Sequence, residues 1–387
     1  MKSGSASGMH ATPFAHRFER LHEAAVEAAG GSDFGDAHYQ EGLRVLLAAI
    51  DAGPPLNDVE AATAQEMIVE ALRGRLMASA GWRRHPEVLG TEIRRPLVVI
   101  GLPRTGTTAL HQLLSLDPQF QGFENWLTRT PGPRPPRDTW ARNPSYRAAA
   151  EQYVRLKAAA PEAAAAHSVP PDEVDECLRP MSQSFTSNLY PSVLEIADYD
   201  AWFRAQDETS SFRRYANLLK LVGLGDARTW LLKNPSHLFG VDGLLGAFPD
   251  ACIVQTHRHP ATAIASLTSL LAGLRDMTAG RRVDRDHLRV REIGFWSEAA
   301  RRGMAAQDRS PERFLNIRQS EIQEDPLGVV ERIYGKFGFV LSAAAESAMR
   351  QWASAQKAGR PAHAYEPVAD KTEIDAAFGP YIERYFN

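Results

Sequence analysis

The chain has 387 residues, of which 44% are hydrophobic, and a formal net charge of −3 at pH 7. This length can bury a large core as one domain or two unequal ones, and the charge excludes a global basic field for nucleic acid or anionic membranes. The two cysteines, Cys177 and Cys252, provide no disulfide framework and fit a reducing compartment. Because no stretch has the character of a signal segment or a membrane span, we expect a cytoplasmic protein with no membrane partner.

Three regions are predicted along the chain. Residues 1–12 form a flexible N-terminus, residues 13–90 a helical region and residues 91–387 an α/β domain. The apolar residues that recur at three- and four-residue steps in the helical region include Leu43, Leu46, Leu47 and Ile50. We expect this region to pack against the sheet of the α/β domain and to provide a surface for a homodimer or for an acceptor.

The first chemical motif is a loop with the spacing of a P-loop, preceded by a short apolar strand. Gly101, Gly106 and Thr108 keep the glycine and hydroxyl positions of that motif, but Thr107 stands at the position of its lysine. In nucleoside triphosphatases that lysine reaches the outer phosphates. The cation of this loop is Arg104 instead. The loop is therefore predicted to bind an anion that lacks the magnesium-bridged outer phosphates of ATP.

A second apolar run, residues 229–233, ends in a polar turn that enters a helix. We expect it to be a neighbouring parallel strand, because ligands of open α/β sheets bind at the carboxyl ends of the strands. Lys233 and His237 would then lie beside the loop.

A third apolar strand ends just before Arg258, and Pro260 suits the first turn of the helix that follows. This places Ser266 about two turns into the helix. An arginine fork and a hydroxyl at this spacing can converge on one phosphate.

These motifs resemble those of a known family. Residues 103–108 resemble the 5′-phosphosulfate loop of sulfotransferases that use 3′-phosphoadenosine 5′-phosphosulfate (PAPS), and residues 252–267 resemble the 3′-phosphate motif of that family. The similarity is to the bacterial branch and runs from about residue 94 to the end of the chain. It implies a P-loop-like three-layer α/β fold, with a central parallel sheet flanked by helices.

The resemblance also implies which residues bind the co-substrate PAPS. Those assigned to the 5′-phosphosulfate are Arg104, Thr105, Gly106, Thr107 and Thr108. Arg258 and Ser266 are assigned to the 3′-phosphate. A basic turn near the end of the chain resembles the element that closes over the nucleotide, which makes Lys357 and Arg360 further candidates.

The catalytic roles follow from chemistry, because the Lys-x-Pro-x-His order here differs from the Lys-x-His-x-Pro order of cytosolic sulfotransferases. Sulfuryl transfer to a hydroxyl needs a base for the acceptor proton and a positive charge near the leaving phosphate. His237 suits the first task and Lys233 the second. Glu124 and Glu176 are rival bases, and Glu176 lies in an acidic segment that resembles one of the bacterial branch.

The sequence thus predicts in-line transfer of a sulfuryl group from PAPS to a hydroxyl of a small molecule, glycan or lipid. Two other classes of protein remain open from the sequence alone. A kinase that uses ATP would need the missing lysine and a magnesium-binding acid, and a non-catalytic nucleotide-binding protein would tolerate loss of Lys233 and His237. We expect no metal, since no histidine, cysteine or carboxylate spacing completes a site.

Overall fold

A parallel sheet forms the centre of the protein. The computed structural model describes residues 12–159, 169–358 and 371–387. The strands in these residues are β1 (Leu97–Gly101), β2 (Phe120–Gln121), β3 (Thr229–Lys233), β4 (Cys252–His257) and β5 (Phe314–Arg318). They pair in parallel in the order β2-β3-β1-β4-β5. The predicted α/β class with a central parallel sheet is confirmed.

Helices precede the sheet and connect its strands. Before β1 lie α1 (Phe18–Ala29), α2 (Tyr39–Ala52) and α3 (Asp58–Arg84). Between β1 and β3 lie α4 (Thr107–Leu114), α5 (Asn125–Arg129), α6 (Pro144–Ala159), α7 (Leu178–Ser182), α8 (Leu189–Val193), α9 (Ala197–Arg204) and α10 (Thr209–Val222). After β3 lie α11 (Val241–Ala247), α12 (Pro260–Ala279), α13 (Arg285–Arg309), α14 (Gln319–Glu324), α15 (Pro326–Phe337), α16 (Ala343–Ala358) and α17 (Lys371–Phe386). None of the described helices combines the length and hydropathy of a membrane span.

Helix α3 illustrates how local sequence starts the N-terminal helices. The side chain of Asn57 accepts hydrogen bonds from the backbone N–H groups of Val59 and Glu60, and the Glu60 carboxylate accepts one from the Asn57 N–H. This capping box satisfies donors that a helix start leaves without partners.

The residues predicted as the apolar face of the N-terminal helical region lie on α2 and are buried: Leu43, Leu46, Leu47 and Ile50. Residues 1–11 lie outside the described part, and the division of the chain into three regions stays a prediction.

The two faces of the sheet pack into different clusters, because successive residues of a strand point to opposite sides. Val98 of β1 joins the larger core, whereas Val99 packs with α4 and α15 in a smaller one. Leu231 of β3 belongs to the smaller core. Lys233, two residues later, therefore points to the same side as α4.

The order of the strands brings the three predicted motifs together. β1 pairs with β3 on one side and with β4 on the other. Parallel strands end at the same edge of a sheet, so the segments after β1, β3 and β4 meet there. The P-loop-like segment lies in the middle of the three.

Candidate active site

The loop after β1 has a backbone that requires glycine at two positions. Gly101 has a φ of 145°, and a Cβ there would lie 2.5 Å from the backbone oxygen of Thr256. Gly106, the N-cap of α4, has a φ of 90°. Arg104 adopts a φ of 67°, which is strained for a residue with a side chain. Such strain concentrates at ligand-binding loops, and its presence here supports the predicted anion-binding role.

Thr105 fixes the loop from the inside. Its side chain is fully buried, its hydroxyl donates to the Leu102 carbonyl at 2.6 Å, and it shares a second hydrogen bond of 2.6 Å with the Thr256 hydroxyl on β4. The Thr105 hydroxyl is therefore engaged within the protein, which leaves its backbone N–H for the predicted phosphosulfate contact. Sequence reasoning did not single out Thr256, whose only signal is a hydroxyl at the end of a buried strand.

Two threonines begin α4, and their side chains differ in exposure. Thr107 is buried, with 4% of its surface exposed, whereas Thr108 is exposed. The first N–H groups of any helix lack partners within that helix and carry the positive end of its dipole. The start of α4 thus provides donors for an anion, with the Thr108 hydroxyl on the solvent side.

The arginines of the two phosphate motifs contact each other. Arg104 Nε donates to Ser266 Oγ at 3.1 Å, and Arg258 Nη1 donates to the Arg104 backbone oxygen at 3.2 Å. Ser266 is buried in α12, with 1% of its surface exposed. Arg104, Arg258 and Ser266 thus meet beside the loop, as the predicted phosphate site requires.

Lys233 connects the loop to an acidic segment. Its Nζ donates to Thr108 Oγ1 at 3.2 Å and forms an ion pair with Glu176. The lysine side chain is 2% exposed, whereas the Glu176 side chain is 33% exposed. A buried cation and a solvent-facing carboxylate therefore sit next to the first turn of α4.

Backbone hydrogen bonds hold the segment that carries Glu176. The Asp175 N–H donates to the Phe123 carbonyl at 2.9 Å, and the Cys177 N–H donates to the Lys233 carbonyl at 2.9 Å. Glu176 lies between these two anchored residues. Its position beside Lys233 is thus set by the main chain.

His237 is placed differently from the prediction. Its side chain is 1% exposed and packs against Phe212 and Tyr215, with ring centroids 5.3 and 6.0 Å away. Neither ring nitrogen has a hydrogen-bond partner among the described residues. Burial lowers the pKa of His237 to about 3, so the ring is neutral. The base role of His237 stays a prediction.

Glu124, the third candidate base, is engaged in another ion pair. Arg134 Nε donates to Glu124 Oε2 at 3.0 Å, and Arg134 Nη1 donates to Gln121 Oε1 at 2.8 Å. The Glu124 carboxylate is 12% exposed. This pair ties the proline-rich loop after α5 to the edge strand β2. No described contact joins Glu124 to the phosphate loop.

His111 is a buried histidine near Lys233 that sequence reasoning did not single out. It lies on α4, one turn after Thr108, and is 1% exposed. Burial and the nearby charge of Lys233 lower its pKa to about 3, although a hydrogen bond to the Leu231 backbone opposes this. Its Nε2 has no hydrogen-bond partner in the described part of the chain. The only signal in the sequence was a polar residue on the apolar face of a helix.

Two predicted ligands cannot be placed. The side chain of Lys357 and the whole of Arg360 lie outside the described residues. Their predicted contact with the 3′-phosphate stays a prediction. Among the residues that are described, no three histidine, cysteine or carboxylate side chains form a metal-binding group.

Comparison with known families agrees with this geometry. The model of the Sulfotransferase family matches residues 96–342, which span the loop, Lys233, Glu176 and the Arg258–Ser266 motif. The chain belongs to the sulfotransferase family. It is accordingly an enzyme of sulfuryl transfer, and this membership favours that hypothesis over the kinase and the non-catalytic nucleotide-binding protein.

Solved sulfotransferases share the fold across almost the whole chain. The sulfotransferase STF1 from Mycobacterium tuberculosis H37Rv is 34% identical, with a TM-score of 0.85, and the match covers 94% of this chain and 98% of that one. STF9 from Mycobacterium avium is 25% identical, with a TM-score of 0.86, and the match covers 95% and 96%. The predicted P-loop-like fold is confirmed by these structures.

A curated sulfotransferase is more distant in sequence. The omega-hydroxy-beta-dihydromenaquinone-9 sulfotransferase Stf3 of Mycobacterium bovis is 23% identical over 304 residues, which cover 75% of this chain and 74% of Stf3. By its name, Stf3 acts on a hydroxylated dihydromenaquinone.

Proposed function

We propose that this sulfotransferase takes its sulfuryl group from PAPS and transfers it to a hydroxyl acceptor in one in-line step. The backbone N–H groups of Arg104–Thr108 and the start of α4 would bind the 5′-phosphosulfate. Arg258 and Ser266, which both contact Arg104 of the loop, would bind the 3′-phosphate. PAPS carries phosphate at two separate positions and therefore matches two adjacent anion sites. Thr107 replaces the lysine that contacts the outer phosphates of a nucleoside triphosphate.

The observation that carries the proposal is the Lys233–Glu176 pair beside Thr108. Glu176 would accept the proton of the acceptor hydroxyl while the acceptor oxygen forms its bond to sulfur. The bond between sulfur and the bridging oxygen breaks in the same step, and that oxygen leaves with the nucleotide phosphate. Lys233, a buried cation, would stabilise the negative charge that develops there.

Glu176 is better suited to the base role than its two rivals. Its carboxylate is one-third exposed, as a group that meets an incoming acceptor must be. His237 packs against aromatic rings, and the Glu124 carboxylate is only 12% exposed. Both alternatives remain testable by substitution.

Three wider expectations remain proposals. The free cysteines Cys177 and Cys252, both buried, fit the predicted cytoplasmic location. The helical region of residues 13–90 remains the candidate surface for a homodimer. The acceptor is proposed to be a small-molecule or lipid hydroxyl, as the name of the relative Stf3 suggests.

Calorimetry tests the donor assignment directly. Adenosine 3′,5′-bisphosphate, the nucleotide left after transfer, should bind the wild-type protein at least about tenfold more tightly than ATP with magnesium. Arg258→Ala should lower the affinity for the bisphosphate, because it removes a proposed contact with the 3′-phosphate. The affinity for ATP should change much less. Tighter binding of ATP with magnesium would overturn the proposal.

A further inference from the structure

A cavity of about 400 Å³ lies along the edge strand of the sheet, and we call it the edge cavity. It opens between α4, α16 and the segment before Glu176. Its volume falls within the range of sites that hold drug-sized ligands. Nothing in the donor assignment uses it. Six residues that line it are Gln112, Phe120, Glu173, Val174, Leu231 and Trp352.

Three elements of the proposed active site, α4, β3 and the segment before Glu176, also carry residues that line the edge cavity. Gln112 lies four residues after Thr108 and therefore on the same face of α4. Leu231 precedes Lys233 by two residues, so both side chains point to the same side of β3. The edge cavity thus begins about one helical turn from Thr108 and two strand residues from Lys233.

The third connection is the backbone of the acidic segment. The Asn125 N–H donates to the Glu173 carbonyl at 2.9 Å, and Cys177 bonds to the Lys233 carbonyl. Residues 173–177 therefore run from the wall of the edge cavity to the Lys233–Glu176 pair. A hydroxyl compound seated in the cavity would approach Glu176 along this strip.

The walls of the edge cavity are apolar on one side. Phe120, Val174, Leu231 and Trp352 contribute aromatic and aliphatic surface, and Trp352 packs partly buried against the smaller core. A tryptophan ring gives a flat contact for a planar or elongated apolar ligand. The acceptor is therefore expected to bury an apolar body here.

The charged lining comprises three carboxylates, Glu124, Asp172 and Glu173, and one arginine, Arg228, which is paired with Asp226 outside the cavity. Glu124 is bound to Arg134, and Asp172 Oδ2 accepts from Arg137 Nη2 at 2.8 Å. Burial, and then the neighbouring charge of Asp172, raise the pKa of Glu173. Ionised carboxylates on the lining of a site repel a second anion that binds nearby. The lining thus disfavours acceptors that carry a carboxylate or phosphate.

We infer that the edge cavity is the acceptor site and that it selects uncharged hydroxyl compounds with a flat apolar body. This inference rests on the proposed sulfuryl transfer from PAPS. It assigns acceptor specificity to two residues. Trp352 contacts the apolar body of the acceptor, and Glu173 repels anionic acceptors.

A matched pair of phenols tests this selectivity. 4-Ethylphenol and 4-hydroxyphenylacetate present the same hydroxyl, but only the second carries a negative charge. With PAPS as donor, kcat/KM for 4-ethylphenol should exceed that for 4-hydroxyphenylacetate by at least about tenfold. Glu173→Lys should reduce this ratio at least about fivefold. The same charge change at an exposed position of α15, Glu331→Lys, should leave the ratio unaltered.

Substitution of the tryptophan provides the second test. Trp352→Ala should raise the KM for 4-ethylphenol about tenfold or more, with the KM for PAPS unchanged. Trp352→Phe, which keeps an aromatic ring, should restore the KM to within about threefold of the wild-type value. A purely structural role of Trp352 would instead change the KM for PAPS as well as the KM for 4-ethylphenol.

The failure of this inference is distinct from failure of the proposed function. Equal use of the two phenols, turnover of neither phenol, or an unchanged KM for 4-ethylphenol in Trp352→Ala would each overturn the acceptor assignment while adenosine 3′,5′-bisphosphate still binds. Loss of that nucleotide binding in the wild-type protein would instead overturn the donor proposal.

Discussion

Lys233 and Glu176 form an ion pair in which the lysine is 2% exposed and the carboxylate 33% exposed. The two residues come from different segments and meet because the Cys177 N–H bonds to the Lys233 carbonyl. The pair touches the phosphate loop through Thr108 Oγ1, 3.2 Å from Lys233 Nζ. A fixed cation and a solvent-facing acid at one point of the sheet edge are what sulfuryl transfer requires.

Removal of the buried cation tests the role of Lys233. Lys233→Met should lower kcat by about 10²–10³, because the developing charge on the leaving phosphate loses its nearest cation. The KM for PAPS should change much less. Steady-state transfer to a phenol measures both. Lys336→Met, at an exposed lysine in the last turn of α15, is the matched control and should retain full activity. A fully active Lys233→Met would remove Lys233 from the mechanism.

A methyl group at Gly101 tests the geometry of the loop. Gly101→Ala should lower the free energy of unfolding by about 1–3 kcal/mol, because a Cβ there would lie 2.5 Å from the Thr256 backbone oxygen at a φ of 145°. Binding of adenosine 3′,5′-bisphosphate should weaken as well. Urea denaturation and calorimetry measure the two effects.

The control for this loop variant is Gly90→Ala, since a Cβ at Gly90 meets nothing within 4 Å. It should leave nucleotide binding unchanged. If Gly101→Ala bound the nucleotide as tightly as the wild type, the close approach of the loop to β4 would not matter for the site.

Burial of His237 predicts a specific pH dependence of stability. In the folded protein its pKa lies at about 3, below the ordinary value of 6.5. As the pH falls below 6.5 the unfolded chain takes up a proton that the folded protein does not, so the free energy of unfolding falls by up to about 1.4 kcal/mol per pH unit. The unfolding free energy continues to fall until the pH reaches the pKa of His237 in the folded protein, at about 3.

The variant His237→Phe should lack this contribution. Between about pH 7.5 and about pH 5.5, its unfolding free energy should fall by about 1 kcal/mol less than that of the wild type. Urea denaturation at the two pH values measures the difference. An identical pH dependence in both proteins would mean that the ring is hydrated or paired in the folded state.

The order of the main elements could be predicted because their signals are local. The glycine spacing after β1 and the apolar runs that became β1, β3 and β4 each depend on a few consecutive residues. The strand order explains why the loop and the segment after β4 lie together, but the hydrogen bond between Arg104 and Ser266 was not predicted.

Side-chain direction could not be predicted, because distant contacts decide it. The Thr105 hydroxyl turns inward to meet Thr256, and His237 packs against Phe212 and Tyr215 of α10. From the sequence alone, His237 was the first candidate base, and Glu124 and Glu176 were its rivals. His111 was indistinguishable from an ordinary core residue of α4 until its unpartnered Nε2 and the nearby Lys233 were seen.

The most direct test of the account compares two variants in the same transfer assay from PAPS to a phenol. Glu176→Gln removes the proposed base but keeps its shape, whereas His237→Phe removes the rival ring but keeps its packing. We predict that Glu176→Gln lowers kcat by about 10²–10⁴, with nucleotide affinity unchanged, and that His237→Phe keeps kcat within about threefold of the wild type. Full activity in Glu176→Gln together with loss of turnover in His237→Phe would contradict the account.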